Sequence, residues 1–191
     1  MIVRTAKQAL GLVRQHRLVP MTAVPGFTSL VEAVAGGRVR GSWWGHPKGA
    51  LMYELANALH DSPEVLHVRL LDAKGTFVHR ALWPALYRVV SDPSWRRSAS
   101  RDLTAAERRL LRSVERGGEI RPGKVKHRLT EKLLVLAWNV HTLDGHHESV
   151  LSSWDRWAKA PLNRAAKRLA FEAAVEELRA ACKGHAPALP T

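Results

Sequence analysis

PKGALMYELANALHDSPEVLHVRLLDAKGTFVH, residues 47–79, changes its hydrophobic period halfway along. Leu51, Leu55 and Leu59 recur every fourth residue with Met52 and Ala56 beside them, which is the apolar stripe of an amphipathic helix. Pro47 suits the first turn, where its missing N–H costs nothing. Past Asp61 the pattern shortens. VLHVRLL and TFVH are β-rich runs separated by DAKG, and together they predict a hairpin. A helix leading into a hairpin is the closing half of a winged helix, so what precedes it decides the fold.

Upstream, residues 3–17 read as a helix with Val3, Leu10 and Val13 along one side, joined by Ala6 and Arg17. VPMTAVPG, with two prolines and a glycine, reads as a loop. A second helix starts at Thr28 as N-cap, carries Leu30, Val31 and Val34, and stops at Gly36-Gly37. Downstream, ALWPALYRVV is helical with Pro84 in its first turn. SDPSWRRSASRD, residues 91–102, is polar and basic and reads as a linker.

The second half repeats the outline. Leu103 to Gly117 is a helix, with Thr104 as N-cap and Glu107 at the capping-box position. RPGKVKHRLTEKLL is a second, basic helix after Gly118. LVLAWNVHT and HESVLSSW flank LDGH, and Asp-Gly is a strong hairpin signal. One amphipathic helix runs from Pro161 to Cys182, closed by Gly184, and HAPALPT is a loose tail. The expected fold is therefore α+β, mostly α. Two winged-helix modules span 1–92 and 103–184, each a helix-turn-helix with a β-hairpin wing. They are joined by a linker at 93–102 and followed by a flexible tail at 185–191. In each, the second helix is the expected recognition element.

Charge points to a partner. Lys and Arg number 30 against 17 Asp and Glu, a net charge of +13 over 191 residues. Such an excess suits a polyanion, because Lys and Arg that neutralise phosphates release condensed counterions. The densest cluster runs from Arg96 to Lys132, with twelve basic residues against five acids. Inside it Arg121, Lys124, Lys126 and Arg128 surround the start of the second recognition helix and are candidates for phosphate or guanine contacts. Nothing resembles a secretion signal or a membrane span, and the single cysteine, Cys182, excludes an internal disulfide. A cytoplasmic protein without a membrane partner is expected.

GSWWGHPKG, residues 41–49, enters the first recognition helix. His46 and Lys48 add donors to the free N–H groups of a helix start. Trp43 and Trp44 suit stacking on an unpaired base or wedging into a base step. Adjacent residues of an extended chain point opposite ways, so one ring is expected in the core and the other outside. In HTLDGHHE, folding about Asp144-Gly145 puts His141, Leu143, His146 and Glu148 on one face and Thr142 and His147 on the other. That is a poor metal site and a better wing tip, whose His146 and His147 donate to phosphates when protonated. No metal or organic cofactor is expected.

No GxSxG, P-loop or paired-carboxylate pattern is present, so the residues name no reaction. The runs GSWWGHPKGALMYELANAL, GTFVHRALWPALYRVV and LLVLAWNVHTLDGHHESVLSSWDRW resemble a small bacterial family associated with the AlkZ-type winged-helix DNA glycosylases. The likeness covers roughly residues 28–158 and implies winged-helix modules and a link to DNA repair. It departs from those enzymes in their catalytic Gln-x-Gln motif. Only Gln8 and Gln15 occur here, so no catalytic residue is carried over. The leading expectation is a nucleic-acid-binding protein, duplex DNA foremost. The alternatives are a repair enzyme acting on a flipped base, and a subunit binding an acidic protein partner.

Overall fold

The structure, a computed structural model, describes residues 2–117, 120, 126–141 and 147–190, with backbone alone at 126–127, 139–141 and 147–148. It is α+β, about 52% helical, with small antiparallel sheets. None of its described helices is long and apolar enough to cross a membrane. The chain divides into two compact units, Met1–Leu82 with Ala180–Ala186, and Trp83–Arg179 with Pro187–Thr191.

In the first unit, Thr5 caps α1 (Ala6–His16) by accepting from the Gln8 amide, and the helix buries Ala9, Leu12 and Val13. Arg17, at φ 62°, turns the chain out of the helix and into β1 (Leu18–Pro20). That strand occupies the start of the expected loop. Its three residues are all buried, and Pro20 is tolerated because β1 lies at the edge of its sheet. α2 (Leu30–Ala35) is capped by Ser29, one residue later than Thr28, and Ser29 also donates to Glu32. A 3-10 turn over Trp43–Gly45 precedes α3 (Gly49–His60). The hairpin then forms from β2 (Val65–Leu71) and β3 (Lys74–His79), with Asp72 and Ala73 both at positive φ. Such a pair matches the right-handed twist of the flanking strands. The sheet order is β1-β3-β2, antiparallel throughout. Leu12, Val13, Val19, Leu30, Val34, Met52, Leu55, Leu59 and Phe77 fill the core between helices and sheet.

In the second unit, α4 (Trp83–Val90) holds Pro84 in its first turn. The stretch read as a linker instead forms α5 (Pro93–Ala99). Asp92 accepts from the Ser94 and Trp95 amides, and Trp95 anchors the helix at 5% exposure. Trp95 is the buried side chain of a short helix that Asp92 caps. α6 (Ala105–Glu115) carries the capping box of Thr104 and Glu107, as its sequence indicates. α7 (Lys126–Glu131) is followed by β4 (Leu136–His141) and β5 (His147–Ser152), paired antiparallel. Ile120 forms an isolated bridge to Leu151 on β5. Ser153 caps α8 (Trp154–Trp157), whose Trp154 indole donates to the Leu133 carbonyl at 2.6 Å.

The single helix expected from Pro161 to Cys182 is two. α9 (Ala160–Lys167) ends in tightened turns at Arg168 and Leu169, and α10 (Phe171–Cys182) restarts with the Ala174 amide bonded to the Ala170 carbonyl. The tail is not loose over 185–190. In the first unit, the Asp72 amide donates to the His185 carbonyl and the His185 ring meets the Asp72 carboxylate at 3.1 Å. In the second, the Trp95 indole donates to the Ala188 carbonyl, Arg179 donates to the Pro190 carbonyl, and Leu189 is buried. Backbone carbonyls claimed by buried or charged donors fix a segment that composition alone leaves free.

Candidate nucleic-acid interface

The cluster from Arg96 to Lys132 separates into charges the fold uses and charges it leaves to solvent. Arg96 pairs with Glu115 and donates to the Val90 carbonyl. Arg108 donates to the Ser100 and Arg101 carbonyls that end α5. Arg128 pairs with Asp102 and with Glu107, and Lys132 reaches Asp102 at 2.8 Å. Hydrogen bonding from the Lys132 ammonium, aided by Arg128, holds the Asp102 carboxyl down to about 2. Arg128, expected to meet phosphate or guanine, is thus neutralised by two acids of its own unit.

Arg97, Arg101, Arg109, Arg112 and Arg116 are exposed and form no side-chain hydrogen bond or ion pair among the described residues. Arg109, Arg112 and Arg116 lie at i, i+3 and i+7, which places them in one row along α6 and its C-cap. The opposite side of α6 is buried through Leu111 and Val114. Counting charge does not isolate this row; the spacing of its arginines against the buried side does. Arg121, Lys124 and His146 lie outside the described residues, as does the whole of LDGH. Lys126 and His147 are described only as backbone, in α7 and β5.

In the first unit, the helix thought to read bases carries little charge: α3 contains no Lys or Arg and has Glu54 exposed. The Lys48 ammonium donates to the Val34 and Ala35 carbonyls, closing the C-terminus of α2, and its own amide donates to His46 Nδ1. Lys48 and His46 therefore fasten one helix to the next. The two tryptophans are not in extended chain. The 3-10 turn stacks their rings at 4.1 Å and 24°, with Trp43 packed on the core and Trp44 64% exposed. Tyr53, which the sequence reading passed over, sits 5.5 Å from Trp44.

Gly49 makes that turn possible. A Cβ there would lie 2.9 Å from the Trp44 carbonyl oxygen and 3.0 Å from that of Trp43. Neither backbone oxygen moves without opening the turn. Gly49→Ala is expected to cost about 1–3 kcal/mol, the usual range for an overpacked site. Denaturant unfolding measures it, and a variant as stable as the parent would show the turn to be pliable.

Two open clefts among the described residues offer less chemistry. One of about 380 Å³ lies beside His16, Phe27 and Lys183, whose ammonium already donates to the Gly26 carbonyl and covers the Phe27 ring at 5.0 Å. The other, about 390 Å³, lies beside Tyr87, Arg88, Asn163 and Lys167. There the Tyr87 hydroxyl donates to Asp155 at 2.6 Å, and burial together with that bond pushes the phenol up to about 12. Arg88 is engaged by Asp92 and the Leu169 carbonyl. Cys182 is fully buried and its thiol pushed up to about 12, so it behaves as a small apolar side chain and not as a nucleophile. No family model matches the chain, and no curated protein or solved structure matches it either.

Proposed function

We propose that this chain binds nucleic acid, duplex DNA foremost, with the exposed arginines on and between α5 and α6, which have no partner among the described residues, supplying the phosphate contacts. The observation that carries the reading is the row Arg109, Arg112 and Arg116 with Arg97 and Arg101 nearby in sequence. Four of these five arginines lie on α5, α6 or the α6 C-cap and Arg101 lies between the helices; none has a side-chain partner among the described residues. A guanidinium suits phosphate because its planar fork donates two parallel hydrogen bonds and never loses its charge.

Topology supports winged-helix units as the scaffold. The first unit runs helix, strand, helix, helix, hairpin, with the first strand beside the last. In the second, Ile120 pairs with β5 as β1 pairs with β3, and a helix, a short strand contact, a helix and a hairpin follow, with one helix fewer than in the first unit among the described residues. The resemblance to the glycosylase-associated family adds DNA repair as the setting. The phosphate contacts lie on α6 in this reading, not on the helix before the hairpin. Affinity then follows charge more than base sequence.

A labelled duplex titrated across a salt series tests this by fluorescence anisotropy. With about five phosphates neutralised, log K should fall against log salt with a slope of roughly −4 to −5. No binding at low salt removes the reading. Equal affinity for heparin and duplex would assign the arginines to polyanions in general.

A further inference from the structure

An indole stacked on a second indole offers solvent a flat apolar face, which is unfavourable in water until something covers it. Trp44 has its inner face against Trp43 and is still 64% exposed, so its outer face is open to solvent. The ring is also held in place. Trp43 is packed on the core, Tyr53 flanks the stack, and Gly49 lets the turn close on the helix. A preformed flat surface binds without the ordering cost of a mobile side chain.

The charge beside it is one-sided. The loop leading into the stack carries Arg38 and Arg40, both exposed and without an ion pair among the described residues, while the helix side carries Glu54. An aromatic face with cations on its approach fits a base and its flanking phosphates. A paired base inside a duplex has both faces covered by its neighbours. Only a base in a single strand, a bulge or a flipped position offers one to Trp44.

We infer that the outer face of Trp44 is a stacking platform for an unpaired nucleobase, with Arg38 and Arg40 holding the adjacent backbone. This rests on the nucleic-acid reading but uses residues of the first unit alone, so the two can fail separately. The site adds an unpaired base to the duplex contacts of α6.

The test compares wild type, Trp44→Ala and Trp44→Phe by anisotropy on three labelled probes: an oligothymidylate, the same strand with abasic residues, and a blunt-ended duplex. Trp44→Ala should weaken oligothymidylate binding about five- to a hundred-fold, the usual effect of losing one stacking ring. Abasic and duplex affinities should stay as they were, and Trp44→Phe should recover most of the loss. The exposed ring leaves no cavity when removed, and far-UV circular dichroism verifies folding. Wild-type affinity for oligothymidylate in Trp44→Ala overturns the inference, as does an equal loss on all three probes. Wild type that binds duplex but not the strand overturns it while sparing the function proposed above. Wild type that binds neither removes both.

Discussion

Reversing Arg109, Arg112 and Arg116 to Glu should cut duplex affinity by more than about a hundred-fold and reduce the salt slope by roughly three units, since each lost phosphate contact takes about one unit with it. Stability should fall only modestly, because none of the three side chains has a partner among the described residues to lose and the cost is that of glutamates opposing the dipole at the end of α6. Arg128→Glu should behave in the opposite way. It sets a carboxylate against Asp102 and Glu107, so it should destabilise the second unit while leaving the slope close to the parent's. Anisotropy across salt, with thermal melting of each variant, separates the two outcomes. A triple reversal that keeps the wild-type slope takes α6 out of the interface, and a large slope change in Arg128→Glu would return the contacts to α7.

The second large effect is on pH. His67 on β2 has its ring 4.4 Å from His60, 4.9 Å from Phe77 and directly over Gly75, where a Cβ would fall 2.5 Å from Nε2. Burial pushes its imidazole down to about 3, and the nearby His60 and Arg69 act in the same direction. Burial lowers His60 as well, partly offset by Asp61. In the unfolded chain a histidine takes up its proton near pH 6.5. Between that value and about 3 the unfolded state therefore binds more protons than the folded one, and stability falls as the medium is acidified. Above pH 6.5 the effect is absent. The slope approaches about 1.4 kcal/mol per pH unit for one group, so going from pH 7 to pH 5 should remove about 2 kcal/mol. Glu64, Asp92 and Asp102 are held near 2 and lose their share only below the ordinary carboxylate range, in a later window. Urea unfolding at pH 7.5, 6 and 5 gives the result directly. His67→Gln should flatten the curve over this range, and a wild-type protein equally stable at all three values would contradict it.

Local signals were the legible ones. The capping box at Thr104 and Glu107, the hairpin of β2 and β3, and the glycine stop at Gly36 each reside in a few consecutive residues, and each appears where the sequence places it. Elements held by distant partners were not legible. β1 is three residues long, too short to show a period, and exists because β3 completes its hydrogen bonds. α5 reads as a linker until Trp95 is seen to be its anchor. The break between α9 and α10 carries no glycine or proline. The candidate interface shows the same limit. The sequence counts twelve basic residues over 96–132, but Arg128 is neutralised by acids 26 and 21 positions away, while Arg109, Arg112 and Arg116 are left over. In the aromatic turn, unequal exposure of the two tryptophans follows from their adjacency, but the stacked geometry arises from a 3-10 turn that only Gly49 permits.

Residues 180–186 belong with residues 1–82 although nearly a hundred residues separate them. Lys183 and His185 reach Gly26, Phe27 and Asp72 from the far end of the chain. On the ribosome, the amino-terminal unit therefore waits for its last segment. At about 5–20 residues per second the delay is on the order of ten seconds. Until then Gly26, Phe27 and Asp72 lack the partners that Lys183 and His185 supply.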